Sequence, residues 1–139
     1  MTTARDLMTP NPRCVGENDT LAEAARLMRD LDVGALPICG EDDRLKGVLT
    51  DRDIVVGCVA ENGDPAEVAV SRLAKGTPIY VEADTAVDQV LDTMARHQIR
   101  RLPVIENKRL VGIISQADVA RRVPGQRAGE VVEEVSTER

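Results

Sequence analysis

A chain of 139 residues with a formal net charge of -6 and a pI near 4.8 suits one compact domain or two small, mutually dependent halves. That acidity argues against a general nucleic-acid or anionic-membrane binder. With one Tyr and neither Phe nor Trp, the core must come from Val, Leu, Ile, Ala and Met, and base-stacking platforms are essentially missing.

The opening MTTARDLMTP lacks the apolar stretch of a signal peptide, and no apolar run reaches about 18 residues. The expectation is a cytoplasmic protein without a transmembrane helix, with export by a route needing no signal peptide left open. A short extended piece follows at Cys14-Val15. Leu21, Ala24, Ala25, Met28 and Leu31 then take the spacing of one buried helical stripe. Thr20, with Glu23 three residues on, predicts a capping box at its start. Leu36-Pro37-Ile38 and Gly47-Val48-Leu49 flank the polar turn Gly40-Glu41-Asp42-Asp43, which is a hairpin signature. Thr50 opens a second helix with Ile54, Val55 and Val59 as its apolar positions. Gly57, Gly63 and Pro65 mark a linker over 57–70 that leads into a short helix.

The same order then returns. Tyr80-Val81 is extended, with Tyr80 expected inside the strand layer. Val87, Val90, Leu91 and Met94 form a helical stripe capped by Asp84 or Thr85. ALPICGEDDRLKGVLTDRDI (35–54) aligns with RLPVIENKRLVGIISQADV (101–119). Pro37 matches Pro103 at an offset of 66 and Gly47 matches Gly112 at 65, so the second copy is one residue shorter in the turn. Ser115 opens the last helix, with Val119, Ala120 and Val123. The expected fold class is therefore α/β (α+β): two β-α-β-β-α repeats, each too small for a core of its own, packed sheet to sheet. The expected division is repeat one over 1–60, linker helix and repeat two over 61–123, and a polar tail over 124–139 that is frayed or used in oligomer contacts.

Thr50-Asp51-Arg52-Asp53 and Ser115-Gln116-Ala117-Asp118 have two readings. Ser or Thr followed three residues later by Asp caps a helix start. The same turn leaves N–H groups and a hydroxyl suited to a phosphate. Asp51 and Asp53, two apart, share no helical face, so they make no acid/base pair. With one histidine, no G-x-S-x-G and no phosphate-binding glycine loop, no catalytic residues and no enzyme activity are expected. Cys14, Cys39 and Cys58 lie far apart beside the single His97, itself read as a helix C-terminal residue, and no metal site is expected.

Two copies of L-P-[IV] followed by G-h-h-[TS]-x-x-D-h, where h is apolar, resemble a tandem pair of CBS (cystathionine-β-synthase) domains over about 120 residues. More narrowly, MTTARDLM, GALPICG, LTDRDIV and HQIRRLPVI are similar to a stand-alone actinobacterial group of such pairs tied to the hypoxic response. The resemblance implies a pseudo-twofold arrangement with two clefts between the repeats and a regulatory adenosine ligand: AMP, ADP, ATP or S-adenosylmethionine. It also implies a homodimer signalling to a partner protein, with no nucleic acid or membrane involved. In such a cleft Thr50 and Ser115 would meet phosphate or ribose, and Asp53 and Asp118 the ribose hydroxyls. Arg100 and Arg101 occupy positions that contact phosphate in relatives, and unit one has the uncharged Gly34-Ala35 there, so the resemblance favours the cleft of Thr50 and Asp53. Pro12, Pro78 and Ile79 take the slot-lining positions, whereas Arg13 departs from the usual apolar residue. Cys14 and Cys39 fall on strands that are parallel neighbours in the family, which makes them a disulfide candidate. The alternative is a ligand-free dimeric stress-response interaction protein, redox-sensitive through that pair.

Overall fold

The computed structural model describes residues 2–74 and 78–123; the tail read as frayed or oligomeric lies outside the described residues. Both expected β-α-β-β-α repeats are present. They fall in two compact units that do not follow the chain simply. Arg13–Pro78 forms one unit, and the segment up to Pro12 joins the residues from Ile79 onward in the other. The stretch leading into the first repeat thus belongs to the unit of the second.

In the unit of the first repeat, β2 (Val15–Gly16) runs parallel to β3 (Ala35–Cys39), and β3 pairs antiparallel with β4 (Leu45–Thr50). Between β2 and β3 lies α2 (Leu21–Leu31), where the Thr20 hydroxyl accepts the Glu23 N–H at 3.2 Å; only this half of the expected capping box is made. Leu21, Ala24 and Met28 are buried with Leu36, Ile38 and Leu49, whereas Leu31 stands exposed. The β3–β4 turn holds Asp43 at φ 63°. There the Arg44 backbone N–H, donating to Asp42, holds that carboxyl below its ordinary value.

After Thr50 the chain makes α3 (Asp51–Ile54), which passes into a π-helical turn over Val55–Val59. The wider turn changes which residues face inward. Ile54 and Cys58 are buried, while Val55 and Val59, expected on the same apolar side, are exposed. Residues 65–72 return over the unit and end in a short 3₁₀ turn, Val70–Arg72, with Val70 fully buried.

The second unit carries four strands in the order β1-β7-β6-β5. Here β5 (Val81–Glu82) is parallel to β6 (Arg101–Glu106), which is antiparallel to β7 (Arg109–Ser115). A two-residue loop, Asn107-Lys108, joins β6 to β7 with both residues at positive φ, the backbone a tight hairpin demands. Between β5 and β6, α4 (Val87–His97) buries Val90, Leu91 and Met94 as its spacing predicts. Its N-cap is Ala86, without a side-chain cap, rather than Asp84 or Thr85. The last helix, α5 (Gln116–Arg122), buries Val119.

The fourth strand, β1 (Thr9–Pro10), comes from the N-terminal segment and pairs antiparallel with β7. Before it, α1 (Ala4–Leu7) places Ala4 and Leu7 in the core with Met8, against Leu91, Leu102 and Ile114. Arg122 donates to the backbone oxygens of Asp6 (3.0 Å) and Met8 (3.3 Å), and Arg5 pairs with Glu106. Met8 also lies against Gly112, where a Cβ would fall 2.7 Å from its Cγ and 2.9 Å from its Cβ.

Candidate functional site

Both T/S-x-x-D motifs form reciprocal capping boxes. Thr50 Oγ1 accepts the Asp53 N–H at 3.0 Å, and Asp53 Oδ2 accepts the Thr50 N–H at 2.9 Å. At the second copy, Ser115 Oγ accepts the Asp118 N–H at 3.2 Å and Asp118 Oδ2 accepts the Ser115 N–H at 2.9 Å. A strand that ends on a hydroxyl residue and turns at once into a helix leaves free N–H groups, which these side chains satisfy.

The copies differ in what else they hold. Asp118 is 1% exposed, and its carboxylate also takes the Ser115 hydroxyl (3.0 Å), the Thr9 hydroxyl (3.2 Å) and the Arg121 guanidinium (2.6 Å). Little acceptor capacity is left for a ligand. Asp53 is half-buried, and among the described residues its carboxylate accepts only from Thr50. The first copy therefore keeps an acceptor oxygen and a hydroxyl proton unspent.

The arginines lie near the second motif within its unit. Arg101 opens β6 directly opposite Ser115, and the Gln116 N–H donates to the Arg100 carbonyl at 3.1 Å. In the first unit Ala35 faces Thr50, and the Asp51 N–H donates to the Gly34 carbonyl at 2.9 Å. Pro12 and Pro78 are half-buried, Arg13 is exposed, and Ile79 packs against the core of the second repeat's unit. Ile79 thus already spends part of its apolar surface.

Cys14 and Cys39 lie at disulfide distance, with Cα atoms 5.8 Å apart, and the bond staples the β2–β3 edge. Parallel pairing of Val15 with Ile38 and Gly16 with Cys39 brings the two cysteines together. Cys58 is a buried free thiol. Among the described residues no group of three or more His, Cys, Asp or Glu is placed to hold a metal ion; Cys14 lies against Cys39 and His97 is exposed. No helix among them is long and apolar enough to cross a membrane.

Two features had no signal in the sequence. Thr9 and Arg121 complete the Asp118 network, and Thr9 lies 109 positions away from it. Tyr80, expected within the strand layer, is instead 46% exposed.

A repeated β-α-β-β-α unit with a capped helix start in each copy is the architecture of the CBS domain, a regulatory and non-catalytic module. The chain belongs to the CBS domain family, which matches residues 4–58 and 70–125. It is 52% identical to Hypoxic response protein 1 of Mycobacterium tuberculosis over 124 residues, 89% of this chain and 87% of that protein. A crystal structure of Hypoxic Response Protein I with two coordinated zinc ions superposes with a TM-score of 0.82 at 51% identity, covering 88% of this chain and all of that one. CBSX2 in complex with AMP superposes at 0.75 with 25% identity, over 87% of this chain and 95% of that one. The chain is thus related to a hypoxic-response protein and to CBS proteins that hold a nucleotide or a metal.

Proposed function

We propose that this chain is a stand-alone CBS-pair protein of the hypoxic or a related stress response, acting as a dimeric interaction module that passes its output to a partner protein. The observation that carries this reading is the valine ridge after Thr50. Val55, Val56 and Val59 are 57%, 47% and 53% exposed on one short helix, where a soluble surface would place charge. Positions 55 and 59 share a helical face, so a second copy would cover them together. The double substitution Val55→Asp, Val59→Asp is expected to convert a dimer to a monomer in sedimentation velocity at about 10 μM, leaving helical circular dichroism unchanged. A variant that stays dimeric, or a parent protein that is already monomeric, defeats the reading.

The Cys14–Cys39 bond would make the module redox-sensitive. Closing a loop of 25 residues constrains the unfolded chain by about 3.5 kcal/mol on the chain-entropy account. Cys14→Ser is expected to lower the denaturant midpoint of the oxidised protein to that of the reduced parent, and non-reducing intact mass should show one bond in the parent. Three free thiols in fresh, unreduced protein would remove the switch.

A second reading has support of its own: the unspent hydroxyl and carboxylate oxygen of Thr50 and Asp53, together with the AMP held by the CBSX2 relative. In it AMP, ADP, ATP or S-adenosylmethionine occupies that grip, with the Thr50 hydroxyl and the Asp53 carboxylate meeting its phosphate or ribose. Ser115 and Asp118, committed to the fold, take the smaller part. Calorimetry decides it. Asp53→Ala should cost more affinity than Asp118→Ala measured on folded protein, and no heat near 1 mM ligand excludes the reading, since that is only about 4 kcal/mol of binding. Zinc is run beside the nucleotides because the Hypoxic Response Protein I structure holds it.

A further inference from the structure

The unit of the second repeat has a groove of about 510 Å³ away from both T/S-x-x-D motifs. Tyr80, Val81 and Glu82 of the β5 edge form one wall; Thr85 and the outer face of α4, from Gln89 to Arg96, form the other. Tyr80 is the sole aromatic residue in the chain, and it stands half out of the protein at this wall instead of in the core. Its counterpart in the first repeat, 66 positions earlier, is Cys14, which is bonded to Cys39. The groove is therefore a property of the second repeat's own side chains and not of the repeated framework.

The size is within the range of about 300–1,000 Å³ for small-molecule sites. Three considerations narrow the occupant. A peptide adding a strand would need a longer edge, and β5 has only Val81 and Glu82; short edges discourage such pairing. A phosphate would need a spare cation, but Arg96, the basic residue of the lining, is paired with Asp92 at 2.5 Å, and Glu82 adds negative charge. The remaining groups are neutral or acceptors. Among the described residues the side chains of Glu82, Thr85 and Gln89 make no hydrogen bond, so a carboxylate, a hydroxyl and an amide face the groove beside an aromatic ring. A ring face that takes C–H surface, with donors and acceptors at its margin, matches a molecule carrying apolar C–H and many hydroxyls.

We infer that this groove is a binding site for a neutral, polyhydroxylated small molecule, a sugar or sugar alcohol. The site is separate from the Thr50 grip and independent of whether that grip holds a nucleotide. Its openness makes the interaction a weak one, in the millimolar range.

The chain supplies its own probe, because tyrosine emission in a protein with one Tyr and no Trp reports on Tyr80 alone. Full-length protein is titrated with glucose, maltose and sorbitol, following that emission together with backbone amide shifts. At least one of the three is expected to give a saturable change, with shifted amides confined to Tyr80, Val81, Glu82, Thr85, Gln89 and Thr93. Gln89→Ala and Glu82→Gln, both at exposed positions that leave the core intact, should each weaken it at least threefold. Tyr80→Phe, followed by amide shifts alone, should keep it. Changes that rise linearly without saturation, or shifts spread over the chain, overturn the assignment. So does saturation by inorganic phosphate or AMP at these same amides, which would replace a neutral occupant with an anionic one. Unchanged affinity in both Gln89→Ala and Glu82→Gln also overturns it.

Discussion

Asp118→Ala is expected to lower stability by about 3 kcal/mol, and the matching change at Asp53 by about 1 kcal/mol, although the two residues hold equivalent places in the repeat. Removing the almost wholly buried Asp118 carboxylate takes the acceptor from the half-buried Ser115 N–H and hydroxyl and from the hydroxyl of the exposed Thr9, at roughly 1 kcal/mol for each lost bond. Arg121, largely exposed, turns back to water and adds little. At Asp53 only one reciprocal cap is lost from a half-buried turn, the ordinary cost of an N-cap change. Thermal denaturation followed by circular dichroism should show a midpoint drop of roughly 10 °C for Asp118→Ala and about a third of that for Asp53→Ala. Equal drops would mean that the Thr9–Asp118 network contributes nothing beyond the cap. Thr9→Val isolates the long-range part and should recover about 1 kcal/mol of the difference.

Removing residues 2–9 is expected to cost about 3–6 kcal/mol and to unfold the unit of the second repeat before that of the first. Leu7 and Met8 are buried in that unit's core, and each large apolar side chain contributes about 1.5–3 kcal/mol. The loss is a large part of the stability of an ordinary small domain. Hydrogen exchange read by residue would show protection vanishing from β6 and β7 while β3 and β4 keep theirs. Loss in β3 and β4 first would contradict the placement of the segment. Gly112→Ala tests the same contact with a single methyl group. The new Cβ meets the Cγ and Cβ of Met8, atoms too near the backbone to swing aside, so overpacking of about 1–3 kcal/mol is expected. Gly47 holds the same place in the first repeat, but a Cβ there meets Ala74 at 3.5 Å, an ordinary contact. Gly47→Ala should be nearly neutral.

How much of this was legible before the structure follows from the range of each interaction. Periodicity and repeat spacing gave the elements of both repeats, because burial of a stripe on α2 or α4 depends on residues three and four apart. The capping boxes at Thr50 and Ser115 were legible for the same reason: donor and acceptor are three residues apart. Local reasoning erred where one backbone bond changed the phase. The π-helical turn over Val55–Val59 moves Cys58 inward and Val55 and Val59 outward, against the 3.6-residue pattern. The α4 cap erred by a residue or two, because Ala86 shows no capping chemistry.

Composition, the duplicated pattern and the motif residues were enough for the class of fold and the non-catalytic character, since each rests on short-range spacing or on its repetition; Cys14 with Cys39 was a candidate only through the family resemblance, which sets their strands side by side. Folding decided the partner of the N-terminal segment, the saturation of Asp118 by Thr9 and Arg121, the exposure of Tyr80 and the valine ridge. Those depend on contacts between residues up to 116 positions apart, or on which way a half-turn faces. Two near-identical copies of a motif carry no local mark saying which of them the rest of the chain will use to hold itself together.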